Sequence, residues 1–134
     1  MQNTQDLMKA ALTLGASDLH LAVGAPPSIR VDGGLKHLEN CDVIDAAGAE
    51  QLCRDLCNDT QWKEIQEGGS ADFGMAHESG NRFRVSVLRQ KGFYGAVMRV
   101  IPQKLYDVHE LGLPEASLDL LTKPRGLVLV TGPT

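Results

Sequence analysis

The sequence predicts an α+β domain, an antiparallel sheet with its helices on one face, followed by a short segment of another kind. Three observations lead there. The apolar period runs helical, alternating, helical, alternating, so helices and strands come in groups rather than in strict turn. Turn residues lie inside the strand groups, at Asp32-Gly33-Gly34 and at Gln90-Lys91-Gly92, where hairpins need them. Finally, Leu127 to Val130 is apolar without alternation, the pattern of a strand buried on both faces of a parallel sheet.

The elements follow in order. Asn3 or Thr4 can cap a first helix, with Asp6 in its first turn where the helix dipole favours negative charge. Leu7, Met8, Ala11 and Leu12 recur at helical spacing, and Gly15 supplies the stop. Leu19, Leu21 and Val23 then alternate with Asp18, His20 and Ala22, which puts Asp18 and His20 on one strand face. Pro26-Pro27 breaks that strand, and Ile29–Val31 and Leu35–Leu38 flank the first turn as a hairpin.

Asp45 can cap a second helix running to about Cys57, with Leu52, Cys53, Leu56 and Cys57 on its apolar side. Asn58 with Gln61 three residues on resembles a capping box for a short third helix carrying Trp62 and Ile65, stopped at Gly68-Gly69. Three strands follow: Ala71, Phe73 and Met75 alternate in one, Phe83, Val85 and Val87 in the next. The last, from about Phe93 to Ile101, is apolar on both faces except at Arg99. Pro102 cannot donate to a ladder and ends the sheet. Residues 103–114 read as a linker, and a short helix near Glu115–Thr122 stops at Lys123-Pro124.

Composition narrows the function classes. With 134 residues, 43% hydrophobic and 22% charged, the chain is an ordinary globular one. No apolar run approaches the roughly 18 residues a membrane helix needs, and no basic-then-apolar leader opens the chain, so a cytoplasmic location is expected. Cys41, Cys53 and Cys57 are odd in number and read as buried thiols, and no metal site is expected, since the four histidines are scattered. The net charge of −4 argues against nucleic-acid binding. That average hides an asymmetry. Residues 1–81 carry a net −8, whereas Arg82, Arg84, Arg89, Lys91, Arg99 and Lys104 fall in a stretch with no acid at all. A segment of that kind attracts anions; a solvated strand face is the plainer alternative.

The last residues, Gly126-Leu-Val-Leu-Val-Thr-Gly-Pro-Thr134, run from a buried strand into a glycine turn. A phosphate-binding loop has that order, because the turn lets backbone N–H groups wrap phosphates ahead of a helix N-terminus. Gly132, Pro133 and Thr134 can open the pattern G-x-x-x-x-G-K-[ST], whose second glycine, lysine and hydroxyl lie beyond the sequence. An ordinary terminal strand gives the same letters.

Seven blocks in order resemble the secretion and type IV pilus ATPases, and within them the retraction (twitching-motility, PilT-type) motors. They are Gly15-Ala-Ser-Asp-Leu-His-Leu21, Pro26-Pro27, Arg30-Val-Asp-Gly33, Arg82-Phe-Arg-Val85, Met98-Arg-Val-Ile-Pro102, Leu111-Gly-Leu-Pro114 and Pro124 through Thr134. The resemblance implies a PAS-like domain over 1–102, a linker over 103–114, and from 115 to 134 the first helix and strand of a RecA-like ATPase domain, cut inside its phosphate loop. It implies ATP and Mg²⁺ as cofactors of the parent protein, with none held tightly by this segment, which is expected to be inactive alone. Its partners would be neighbouring subunits of a homohexamer and an inner-membrane pilus platform protein, with the protein peripheral to that membrane.

The matching arginines, Arg84 and Arg99, are implied to approach the phosphates. Leu111, Gly112 and Leu113 are implied to lie on the adenine side. The Ser17-Asp18-Leu19-His20 block is expected to be structural or a subunit contact. An orphaned strand at 127–130 would pair or swap with another chain, or remain disordered. A helix starting within a few residues of Met1 favours a retraction motor or its accessory paralogue over an assembly or type II secretion ATPase. The competing readings are a PAS-like ligand-sensing module and a scaffold in which Arg84 and Arg99 merely pair with acids.

Overall fold

In the computed structural model, residues 3–104 and 106–132 are described, and they form two compact units that divide between Gln103 and Lys104. The first holds three helices and six strands: α1 (Thr4–Thr13), β1 (Asp18–Leu21), β2 (Ser28–Val31), β3 (Gly34–His37), α2 (Ala46–Leu56), α3 (Asp59–Gly68), β4 (Ser70–Ala76), β5 (Arg82–Gln90) and β6 (Phe93–Ile101). The strands make one antiparallel sheet in the order β3-β2-β1-β6-β5-β4. The first and last strands of the unit therefore meet at its centre.

Local chemistry explains each boundary. Asn3 Oδ1 accepts from the Asp6 N–H at 2.8 Å and Asp45 Oδ1 from Gly48 N–H at 2.7 Å, so both expected caps are formed. At α3 the Asn58 side chain accepts from Gln61 N–H while Gln61 Oε1 accepts from Asn58 N–H, both at 2.9 Å. That is the full capping box. Gly69 closes the helix at φ +86°, a left-handed position that costs glycine nothing. The β2–β3 turn places Asp32 at φ +49° and Gly33 at φ +79°, and the β5–β6 turn places Lys91 at +53° and Gly92 at +84°. Two consecutive positive φ values twist a two-residue turn to match its strands.

The core lies on one face of the sheet. Leu19, Leu21, Ile29, Phe83, Val85, Val87, Ala96 and Met98 are buried in one cluster with Leu7, Met8 and Ala11 of α1, Leu52, Cys53 and Leu56 of α2, and Ile65 of α3. Cys53 and Cys57 are buried thiols, and burial pushes Cys53 up to about 12. Phe73 and Met75 are half-buried rather than buried, because β4 is an edge strand. At the end of the helix-covered face Trp62 stacks on Tyr94 at 4.8 Å, with Arg54 over the indole and Arg89 over the phenol ring.

The second unit holds one helix, α4 (Ala116–Leu121), capped by no side chain. The expected strand over 127–130 is not formed. Leu127, Val128, Leu129 and Val130 are exposed and outside any ladder. Such a run becomes a strand only when a neighbouring strand takes up its N–H and C=O groups. Among the described residues no helix is long and apolar enough to cross a membrane.

Candidate functional site

The face of the sheet away from the core carries the charge. Reading across the strands in register, Arg30 on β2 lies opposite Asp18 on β1, Asp18 opposite Arg99 on β6, Arg99 opposite Arg84 on β5, and Arg84 opposite Gly74 on β4. The two arginines singled out in the sequence, fifteen positions apart, are thus directly opposed neighbours. Like charges in that position repel by up to about 1 kcal/mol, which makes the pair a place where an anion is welcome. Arg82 shares this face two residues along β5, and its guanidinium comes within 3.8 Å of where a Cβ on Gly74 would stand. The Arg82 guanidinium thus lies over the position where residue 74 lacks a side chain.

Asp18 sits in the middle. It is 4% exposed, although its alternation pattern places it on the face without the core. Arg99 Nε donates to Asp18 Oδ1 at 2.9 Å, Ser17 Oγ donates to Oδ2 at 2.8 Å, and Arg30 Nε lies 3.6 Å from Oδ2. Burial alone would raise its carboxyl. The hydrogen bonds from Arg99 and Ser17, with the charges of Arg99 and His20, outweigh it and hold the carboxyl below the usual range. His20, next on this face, is pushed down mainly by burial; Asp18 opposes that and Arg30 and Arg99 add to it. Its Nε2 is buried without a hydrogen-bond partner. Beyond it, Ser28 Oγ and His37 Nδ1 are 2.9 Å apart.

The two arginines are held differently. Arg84 lies 3.8 Å from Asp72, with side chains 72% and 55% exposed, a surface pair worth about 0–1 kcal/mol. Arg99 is gripped by a buried carboxylate through its inner nitrogen, while the side chain is still 68% exposed. Arg89 is not part of this row. It belongs to the helix-covered face, over Tyr94. Lys104 pairs with Glu110 in the second unit.

The remaining sequence-predicted positions lie in the second unit. Leu111, Gly112 and Leu113 close a helical turn: Leu111 N–H donates to Asp107 O at 3.1 Å, Gly112 N–H to His109 O at 3.0 Å and Leu113 N–H to Val108 O at 2.9 Å. Gly112 takes φ +68°, and both leucines are exposed. Gly132 is exposed and in no regular element, while Pro133 and Thr134 lie outside the described residues. Among the described residues no three His, Cys, Asp or Glu side chains group as a metal site.

Sequence reasoning missed two members of the row. Arg30 was seen only as part of a block, and Asp18 was not linked to Arg99, 81 positions away. The available signal was a carboxylate opening a short strand ahead of Leu19 and Leu21, but its partner depends on which strand lies beside it.

No protein-family model matches the sequence. The chain is 41% identical over 129 residues to a type IV pilus retraction ATPase, PilT, of Pseudomonas aeruginosa, covering 96% of this chain and 37% of the relative. It is 29% identical to the type IV pilus ATPase PilU of the same organism, over 97% of this chain and 34% of the relative. The crystal structure of a pilus retraction motor PilT with bound ADP superposes with a TM-score of 0.85 at 34% identity, over 99% of this chain and 39% of that one. The ATPase DotB of Legionella pneumophila, at 19% identity and a TM-score of 0.61 over 90% of this chain and 34% of that one, shares the fold. The chain spans little more than a third of the relatives it matches. Over that matched third, sequence and fold support a PilT-type N-terminal segment.

Proposed function

We propose, from that relationship, that this chain is the nucleotide-clamping front of an ATPase motor that powers type IV pilus retraction. The observation that carries the reading is the directly opposed pair Arg84 and Arg99 on the outer face of the sheet. Two guanidinium forks side by side suit phosphate oxygens, which they can grip bidentately. In the parent protein they meet the phosphates of ATP and neutralise charge developing on the transferring phosphoryl, a role worth roughly 10³–10⁵ in rate for arginine fingers. A PilT relative solved with ADP supports nucleotide as the ligand.

On this reading residues 1–102 form a PAS-like domain, 103–114 a linker, and 115–134 the opening of a RecA-like domain. Gly132, Pro133 and Thr134 begin its phosphate loop, and Leu111, Gly112 and Leu113 lie on the adenine side. Lysine and hydroxyl groups further along that loop would hold the β/γ-phosphates and Mg²⁺, so hydrolysis belongs to the longer chain. The subunits assemble as a homohexamer in the cytoplasm and act on a platform protein at the inner membrane.

A second reading has support of its own. Arg99 and Arg84 already pair with Asp18 and Asp72 within the chain, as they would in a scaffold domain. Turnover separates the two. In a chain carrying this segment with a complete loop, Arg84→Ala and Arg99→Ala each lower ATP hydrolysis at least about 100-fold while the oligomer stays intact on a sizing column. Wild-type turnover in both variants would leave the scaffold reading standing.

A further inference from the structure

Resting on the reading that Arg99 meets phosphate, we infer that Asp18 is a positioning residue, one that fixes where the Arg99 guanidinium sits before nucleotide arrives. Its carboxylate cannot wander. Asp18 lies on β1, which pairs with β2 on one side and β6 on the other. The flanking backbone is pinned on both sides too: Ser17 N–H donates to Arg30 O at 2.8 Å, and Val100 N–H donates to Ser17 O at 3.0 Å. Ser17 Oγ and Arg30 Nε engage Oδ2, which leaves Oδ1 to receive Arg99 Nε at 2.9 Å.

The attachment point matters. A carboxylate bonded to the terminal fork of an arginine competes with phosphate for the same nitrogens. Bonded at Nε, it orients the plane of the guanidinium from behind. Arg30 cannot take this part, because its Nη1 donates to Gly33 O at 3.0 Å in the β2–β3 turn. Arg84, on its exposed ion pair, has no comparable anchor in Asp72. Asp18 also offsets part of the repulsion among Arg30, Arg99 and Arg84 and leaves the row net positive. A fork ordered in advance loses less freedom when it meets phosphate, and misplacing such a group by about 1 Å costs on the order of 10²-fold in rate.

The test is a double-mutant cycle on steady-state ATP hydrolysis, in a chain carrying this segment with a complete loop. Asp18→Ala lowers kcat about 10–100-fold and shifts KM for ATP far less. Asp18→Asn, which keeps an acceptor oxygen for Nε, recovers part of the loss. In an Arg99→Ala background Asp18→Ala has no further effect. Wild-type kcat in Asp18→Ala beside a damaged Arg99→Ala removes the positioning role alone, as does an additive cycle. Wild-type turnover in Arg99→Ala itself removes both this inference and the phosphate reading. Should Asp18→Ala fail to fold, the Arg99 Nε–Hε resonance of Asp18→Asn decides: a shift and faster solvent exchange support the inference, and an unmoved resonance overturns it.

Discussion

Leu19, Met98 and Val85 form a row across the middle of the sheet, and one residue along the same three strands Asp18, Arg99 and Arg84 form another. The strands and the ladder hydrogen bonds are shared. The surroundings are not: the first row is buried under the helices, and the second carries a carboxylate and guanidiniums on the opposite face. A strand's two-residue period allows one ladder to hold the fold with one set of side chains and present a charged site with the next. The fold is thus insensitive to much of what the site needs, and the site inherits its rigidity from a core it never touches.

The largest effect that would sharpen this contrast is on the core side. Phe83 is fully buried on β5, next in the chain to Arg84. Phe83→Ala costs about 3–5 kcal/mol of stability, read as a lowered urea midpoint, through lost burial and the cavity left behind. If this variant unfolds no more easily than wild type, the division between the two faces fails.

A smaller effect is a pH dependence confined to the charged face. Asp18's carboxyl is held below its ordinary value, so near pH 4 the unfolded chain binds the proton that the folded chain declines. Its stabilising contribution is therefore whole above about pH 4 and is lost as the pH falls through the lowered folded value. The stability gap between wild type and Asp18→Asn should narrow across that acid range. The gap to Phe83→Ala should not follow it, since no titrating group is removed. Parallel urea titrations at several pH values distinguish the two, and a pH-independent Asp18 gap counts against the ion-paired row. The smallest effect is at Arg84, whose exposed pair with Asp72 predicts a change within about 1 kcal/mol for Arg84→Ala. A large loss of stability there would make Arg84 structural and would break the separation of duties from the other side.

Much of the fold was legible because its signals are local. The caps at Asn3, Asp45 and Asn58, the turns at Asp32-Gly33 and Lys91-Gly92, and the alternation of Phe83, Val85 and Val87 each depend on residues a few positions apart. The run at 127–130 shows the limit of that logic. Its composition is that of a buried strand, yet strand structure is a property of a pair, and these residues are in no ladder. At the site the sequence supplied the arginines and the acid-free stretch around them. It did not supply Asp18 or Arg30 as their neighbours, because nothing local says that β1 inserts between β2 and β6.

The sequence by itself determined the helices and strands of the first unit, which face of each is apolar, and that positive charge gathers between residues 82 and 104. Periodicity, capping and turn chemistry act over a turn or a hairpin, so they can be read from the letters. Only the tertiary structure decided that Asp18 meets Arg99 across 81 positions and that Arg84 stands directly opposite Arg99. Strand order and register fix those meetings, and both are settled by how the whole apolar face packs against its helices.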